Sequence, residues 1–358
     1  MTETNDLKIA LVGCGRIAKR HADLLSNRQI EGARLHCVCD IQAERAGKFG
    51  KQYDVPHYRD MDDMMAREPS VDIVAVLTPS GLHSRHVVNL AKYRKHIIVE
   101  KPMALTLPSA DDMIAACHDN SVKLFVVKQN RYNYPVRKLR EAVEAKRFGK
   151  IVLGTVRVRW CRRQEYYDQD DWRGTWALDG GVFANQASHH IDLLEWMLGG
   201  VVSVFATSTT ALVKIEAEDT GLAILKFASG ALGVIEATTA TRPTDLEGSV
   251  SILGERGTVE IGGFAMNQMK VWRFEDEQEA DRLVIGEYAE NPPNVYGFGH
   301  KAYYDDVIRS ILRDQPALVD GLEGRRSLEL IIAIYQSIET GQEVRLSGKL
   351  AQTRLGKQ

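Results

Sequence analysis

The run Lys8-Ile-Ala-Leu-Val12-Gly13-Cys-Gly15-Arg16-Ile17-Ala18, continuing through His21 to Leu25, decides the fold. Ile9 to Val12 is a short apolar run of the kind a buried strand selects, and Ile17 to Leu25 repeats apolar side chains at helical spacing. Between them, Gly13, Gly15 and Ala18 stand in the spacing G-x-G-x-x-A. A strand, a glycine turn and a helix in that order form the phosphate loop of a dinucleotide-binding unit. Gly13 permits the tight turn, Gly15 lets the backbone approach a pyrophosphate, and Ala18 lets helix and strand pack closely. Unpaired N–H groups at the helix start then face the anion. Arg16 and Ile17, on the first helical turn, are counted with this cofactor site.

Working outward, Ala33 to Cys39 reads as a second strand followed by a helix through Ala46. Asp40 closes that strand, where a carboxylate can hold both ribose hydroxyls and repels a 2′-phosphate. That favours NAD over NADP; the plainer role for Asp40 is a helix cap. Further strands are expected at Asp72–Leu77, His96–Val99 and Lys123–Val127, with helices near His83–Ala91 and Ser109–Cys117. Strands alternating with helices imply right-handed βαβ units and an N-terminal Rossmann doubly wound parallel sheet over residues 1–128. Ligands of such sheets lie at the strand carboxyl ends. Thr78, Pro79, His83, Glu100 and Lys101 follow those ends and join the cofactor set.

After residue 128 the rhythm changes. Ile151–Trp160, Val202–Thr210, Gly221–Phe227, Ala231–Thr239, Gly248–Leu253 and Gly257–Ile261 read as strands, several joined by tight turns such as Ser229-Gly230. Residues 129–358 are therefore expected to form a C-terminal α+β domain with a largely antiparallel sheet. Helices at Val182–Leu198, Lys301–Leu312 and Gly324–Thr340 should cover one face and leave the other for a second subunit.

Composition narrows the class of protein. The 358 residues carry 46 Lys and Arg against 48 Asp and Glu, a formal charge of -2. A nucleic-acid binder shows a basic excess or stripe, and this chain has neither. No apolar run is long enough to span a bilayer, and the polar start from Met1 to Asp6 lacks the features of a secretory signal. The five cysteines, Cys14, Cys37, Cys39, Cys117 and Cys161, have no zinc-site spacing and read as reduced thiols of a cytoplasmic protein. No metal is expected.

Val99-Glu100-Lys101-Pro102, Thr78-Pro79-Ser80-Gly81-Leu82-His83 and the run from Gly180-Gly181 through Asn185 to His189-His190-Ile-Asp192 together resemble the Gfo/Idh/MocA oxidoreductases, across nearly the whole chain. The resemblance implies that Lys101 and His189 are a catalytic pair. The chemistry agrees, because hydride leaves a carbinol carbon only as its hydroxyl proton departs to a base, and histidine titrates near neutrality. Lys101 could stabilise alkoxide character and contact the nicotinamide ribose. Asn185, one turn before His189, could orient a hydroxyl. The family often has aspartate at that position, and an amide cannot accept the proton. His190 reads as packing, and Asp192 as a residue that caps or positions its helix.

The runs Lys128-Gln-Asn-Arg131, Arg159-Trp-Cys-Arg162-Arg163-Gln-Glu-Tyr166-Tyr167, Asp171-Trp172-Arg173 and Asn294-Val-Tyr296 through His300-Lys301 resemble a subgroup of that family. It oxidises C3 of UDP-N-acetylglucosaminuronic acid, on the way to diacetamido uronic acids of bacterial surface polysaccharide. The nucleotide-linked sugar acid so implied needs cations for a diphosphate and a carboxylate, and aromatic surface for uracil and sugar. Arg131, Arg159, Arg163 and Arg173 with Tyr166, Tyr167 and Trp172 are the candidates. Interleaved Arg and aromatic residues equally suit strand pairing on a solvated sheet face. Tyr296, His300 and Lys301 precede a helix that could receive phosphate or could be an ordinary helix entry. The competing functions are a dehydrogenase of inositol, glucose or another free polyol, a non-catalytic NAD-sensing regulator, and a hydrolase that uses NAD internally. A homodimer or homotetramer is expected.

Overall fold

The structure is a computed structural model that describes residues 6–289 and 297–357. Tyr296 lies outside the described residues, as does Asn294. The chain forms two compact units, Met1–Val127 with His300–Arg325, and Lys128–Gly299 with Arg326–Gln358.

The first unit is built on strands β1 (Leu7–Val12), β2 (Ala33–Cys39), β3 (His57–Tyr58), β4 (Ile73–Val76), β5 (His96–Val99) and β6 (Leu124–Val126). They form one sheet in the order β3-β2-β1-β4-β5-β6, and every neighbouring pair is parallel. Ile9 to Leu11, Ile73 to Val76 and Ile97 to Val99 are all wholly buried, because helices cover both faces of a parallel sheet. Those helices are α1 (Arg16–Ser26), α2 (Ala43–Tyr53), α3 (Met61–Arg67), α4 (His83–Ala91) and α5 (Leu107–Asp119). Asp60 caps α3 by accepting from Asp63 N at 2.8 Å, and Thr106 caps α5, whose first turn also carries Pro108. Strand order reverses between β1 and β4, so the carboxyl ends of these two strands flank the crevice where doubly wound folds bind ligands.

The same unit takes in residues 300–325. Phe125 bridges Asp320, Val126 N donates to Val319 O at 3.4 Å, and the Lys123 ammonium donates to Ser310 O at 2.8 Å. The returning chain thus closes the open edge of β6.

The second unit begins with α6 (Tyr134–Glu144), β7 (Ile151–Arg159) and the short α7 (Gln164–Tyr167). Next come α8 (Ser188–Leu198), β8 (Val201–Thr209), β9 (Thr220–Phe227), β10 (Leu232–Thr238), β11 (Glu247–Gly254), β12 (Gly257–Gly262) and β13 (Gln268–Phe274). It is completed by α9 (Asp281–Glu287) and β14 (Val344–Arg345). Two helices, α10 (Gly299–Leu312) and α11 (Gly321–Thr340), have residues in both units. The eight strands run β13-β12-β11-β7-β10-β9-β8-β14. Only β10 against β7 is parallel among the described strands. One face is covered by α8. At Gly154 an added Cβ would lie 2.7 Å from Leu194 of that helix, so only glycine permits this approach. The opposite face is open, and Phe205, Leu222, Ile224 and Leu232 are exposed on it.

The helix expected over Val182–Leu198 is divided. Val182–Gln186 is a π-helical turn, and α8 starts at Ser188. Tyr335 explains the break: its hydroxyl oxygen accepts from Gly181 N at 3.1 Å and Ala184 N at 3.3 Å, pinning the turn from outside.

Candidate active site

In the first unit the glycine loop is built as its spacing requires. Gly13 has φ +100°, and a Cβ there would lie 2.8 Å from the Leu77 carbonyl carbon and oxygen. At Gly15, by contrast, a Cβ would meet no protein atom within 4 Å. This residue caps α1 with no side-chain hydrogen bond, and no acidic side chain occupies the first turn. The N-terminus of α1 therefore offers N–H groups beside open space, a cradle suited to a pyrophosphate. Asp40 stands beside it, its carboxylate accepting from Cys14 N and from Gln42 N, each at 2.8 Å. Each oxygen has a second lone pair for a ribose hydroxyl. These residues fit NAD.

Thr78 and Pro102 are joined through His83, which is buried. Its Nε2 faces Thr78 O at 2.8 Å and its Nδ1 faces Pro102 O at 2.9 Å. Burial holds the imidazole below its ordinary pKa, against the pull of the two carbonyls. His83 is thus a staple between two strand-end segments, with both ring nitrogens turned to the backbone.

Glu100 is buried behind Lys101. Its Oε2 accepts Lys101 N at 3.0 Å, and its Oε1 is 3.0 Å from His21 Nε2. His21 Nδ1 in turn lies 2.6 Å from the Tyr304 hydroxyl. Burial pushes the Glu100 carboxyl up, but His21, His300 and Lys101 outweigh it and the group sits below its usual range. His300, expected at a substrate phosphate, packs its ring edge-on against His21 at 5.5 Å and is wholly buried. Potential metal-ligand atoms of His21, Glu100 and His300 lie within 4.8 Å of one another. Both nitrogens of His21 are already engaged, so the cluster reads as a hydrogen-bonded support for the Lys101 segment.

In the second unit, His189 sits on the first turn of α8 and is buried. Its Nε2 receives a hydrogen bond from Gln129 Nε2 at 3.0 Å. Gln129 belongs to the turn Gln129–Tyr132, and its neighbours bind the same helix face one turn further on. Arg131 makes a two-pronged pair with Asp192, at 2.8 and 2.9 Å. The buried Lys128 ammonium lies 3.7 Å from Asp192 and donates to Ser327 Oγ at 2.7 Å. Burial pushes the Asp192 carboxyl up, and the two cations more than offset it. Arg131, expected at a substrate anion, is therefore committed to Asp192, which positions α8. Asn185 Nδ2 donates to the buried Asp179, whose other oxygen accepts Gly174 N at 2.7 Å. A carboxylate therefore stands behind the amide. His190 is packing as expected, its ring against Trp160 and its pKa lowered by burial to about 3.

The expected arginine and aromatic set is divided, with Tyr166, Tyr167, Trp172 and Arg173 in one group. Arg173 lies over the rings of Tyr166 and Trp172, at 4.6 and 4.7 Å, and donates to the Tyr166 hydroxyl. Arg163, at the start of α7, is exposed. Tyr167 is buried and its hydroxyl meets Thr239 Oγ1 at 3.1 Å. Arg159 lies on β7 and pairs with Glu236 of β10 at 2.5 Å, the strand-pairing role. Sequence reading did not single out Gln129, Asp179, His21 or Tyr304. The first stands inside the Lys128–Arg131 run, and the others meet their partners only through the fold.

Two family profiles match. "Oxidoreductase family, NAD-binding Rossmann fold" covers residues 7–128, and "Oxidoreductase family, C-terminal alpha/beta domain" covers 140–346. The chain belongs to the Gfo/Idh/MocA oxidoreductases. It is thus an NAD-dependent member of that family, with a parallel Rossmann sheet and a mostly antiparallel second sheet. Among solved Gfo/Idh/MocA structures it is similar to the WlbA dehydrogenase of Bordetella pertussis in complex with NADH and UDP-GlcNAcA. That likeness has 40% identity and TM-score 0.88, over 96% of this chain and 100% of that one. The WlbA dehydrogenase of Chromobacterium violaceum, with the same two ligands, is 41% identical with TM-score 0.89, over 96% and 97%. The myo-inositol 2-dehydrogenase of Thermotoga maritima is 27% identical over 95% of this chain and 98% of its own. Among the described residues, no helix is long and apolar enough to cross a membrane.

Proposed function

We propose that this chain oxidises the C3 hydroxyl of UDP-N-acetylglucosaminuronic acid to the 3-keto sugar, supplying bacterial surface polysaccharide synthesis from the cytoplasm. The observation that carries the reading is the full-length likeness, at 40% identity, to a dehydrogenase holding NADH and UDP-GlcNAcA. Bound NAD supplies the hydride acceptor. His189 takes the hydroxyl proton as the carbinol carbon is oxidised. Lys101 donates to the reacting oxygen and favours its alkoxide form. Asn185, its NH2 held by Asp179, turns its carbonyl oxygen to a sugar hydroxyl. With Arg131 and Arg159 in internal ion pairs and Arg173 held by Asp170 at 3.3 Å, the substrate's anions fall first to the exposed Arg163, and Tyr166 and Trp172 supply aromatic surface.

Turnover of UDP-GlcNAcA followed by NADH absorbance tests this. Lys101→Met and His189→Asn should each lower kcat by at least about a hundredfold while NADH still binds. Unchanged turnover in both would remove the mechanism. Strong turnover of free inositol with none of UDP-GlcNAcA would favour the polyol reading, which the Thermotoga maritima likeness supports.

We further infer a homodimer or homotetramer through the open sheet face. Phe205 and Ile224 are cross-strand neighbours there, exposed at 45% and 55%. Apolar residues in register on an uncovered sheet face suit an isologous contact. Ile224→Glu should shift the chain to monomer in light scattering, and an unshifted mass would exclude this face.

A further inference from the structure

The first four N–H groups of a helix have no partner within it. At the π-turn Val182–Gln186 all of them are met by two residues from elsewhere in the chain. The Tyr335 hydroxyl, on α11, accepts from Gly181 N at 3.1 Å and from Ala184 N at 3.3 Å. Glu218, just before β9, accepts from Val182 N at 2.9 Å through its backbone carbonyl and from Phe183 N at 3.0 Å through Oε1. Tyr335 donates its own hydrogen to that same Oε1 at 2.8 Å, so the two side chains form one cap. The first N–H bonded inside the turn is that of Asn185, to Gly181 O at 3.0 Å.

We propose that Tyr335 and Glu218 are positioning residues for Asn185: their shared cap sets the width of the π-turn, and so the place from which the Asn185 carbonyl meets the sugar. This deepens the function proposed above and rests on Asn185 touching the substrate there.

The pair Gly180-Gly181 is what admits the cap. Gly180 has φ +81°, and a Cβ there would lie 2.8 Å from the Ala184 Cβ. At Gly181 a Cβ would lie 2.2 Å from Cδ and Oε2 of Glu218, so any side chain would expel the carboxyl. Both capping residues are buried, and no water competes for their oxygens. Ala187 N reaches back five residues to Val182 O at 2.8 Å, which is π spacing. A π-turn holds one residue more than the α-helix it interrupts. Its collapse to α spacing would therefore rotate Asn185 by roughly 100° about the axis relative to His189. Asp179 orients the amide of Asn185, and the cap holds the backbone that carries it.

Tyr335→Phe tests this with the loss of one oxygen. The ring stays, edge-on to Trp176 at 5.6 Å and to Phe183 at 6.3 Å. Full-length wild type, Tyr335→Phe, Asn185→Ala and the double variant are compared in turnover of UDP-GlcNAcA. Tyr335→Phe should lower kcat/KM about ten- to a hundredfold, the scale of a displaced positioning group, with the Kd for NADH unchanged. In the Asn185→Ala background the same substitution should change kcat/KM by less than about twofold, because the group it acts through is gone. Equal losses in both backgrounds, or none in either, overturn the proposal and leave Tyr335 as packing. A second measurement needs no substrate. The Asn185 side-chain amide, assigned in the 15N spectrum by its loss in Asn185→Ala, should exchange with water at least about tenfold faster in Tyr335→Phe. Unchanged exchange overturns the proposal even where turnover falls. A wild type that leaves UDP-GlcNAcA unoxidised sinks the substrate reading instead, and the exchange rates then decide the role of Tyr335 alone.

Discussion

Gly13 and Gly15 stand two residues apart, and the structure gives each a different reason for being glycine. For Gly13 the reason is internal: φ is +100° and a Cβ would strike the Leu77 carbonyl at 2.8 Å. Gly13→Ala places an L residue in the left-handed region, at about 1–2 kcal/mol. It also overpacks the backbone at the end of β4, at about 1–3 kcal/mol. A loss of about 2–5 kcal/mol, read as a lower melting temperature without ligand, is expected. Gly15 has φ -82° and ψ -164°, which any residue adopts, and nothing within reach of a Cβ. Gly15→Ala should therefore fold with unchanged stability, or gain about 0.4–1 kcal/mol through a less flexible unfolded chain. The added methyl would instead stand in the path of a pyrophosphate. We expect NADH to bind at least about tenfold more weakly, or about 1.4 kcal/mol. At an NADH concentration of 100 times the wild-type Kd, linkage stabilises the wild type by about 2.7 kcal/mol and the variant by about 1.4. Scanning calorimetry with and without NADH measures both quantities. If Gly15→Ala binds NADH as tightly as wild type, the cofactor does not cross this loop. If Gly13→Ala melts as wild type does, the packing argument at Leu77 is wrong.

Arg131→Leu should lower stability by about 3–5 kcal/mol, since it strands the buried Asp192 carboxylate. Restoring most of that loss by adding Asp192→Leu, in urea unfolding, would identify the pair as scaffold; an Arg131→Leu variant with unaltered stability would refute the ion pair. Glu218 carries a second prediction. Burial, and to a lesser degree Asp179, raise its pKa to about 7, against the pull of Phe183 N and Tyr335. A raised folded value means its share of stability is present below the ordinary carboxyl range and is lost as pH climbs through about 7. Glu218→Gln should flatten the decline in melting temperature between about pH 5 and 8; an unchanged slope would place the titration elsewhere.

The sequence made the first sheet legible because buried parallel strands are near-continuous apolar runs, as in Ile73 to Val76. β3 was not legible, since the two residues of His57–Tyr58 are too few to show a period. The break at Ala187 was hidden because Val182 to Leu198 contains no Gly or Pro to mark it and its π-turn is imposed by Tyr335, far along the chain. The glycine loop could be read by spacing because the strand, turn and helix that build it are consecutive in sequence. Arg131 and Arg159 could not. A lone arginine declares a need for an anion, and only the fold reveals that Asp192 and Glu236 already meet it.

The return of residues 300–325 to the first unit has a practical consequence for anyone recombining these proteins. A single crossover near residue 128 would set one parent's residues at 300 and 304 against the other parent's His21–Glu100 pair beneath the Lys101 segment. Swapping substrate preference between relatives therefore calls for two junctions, one on each side of the inserted block. A hybrid assembled from one cut would carry a donor lid on a recipient's foundations.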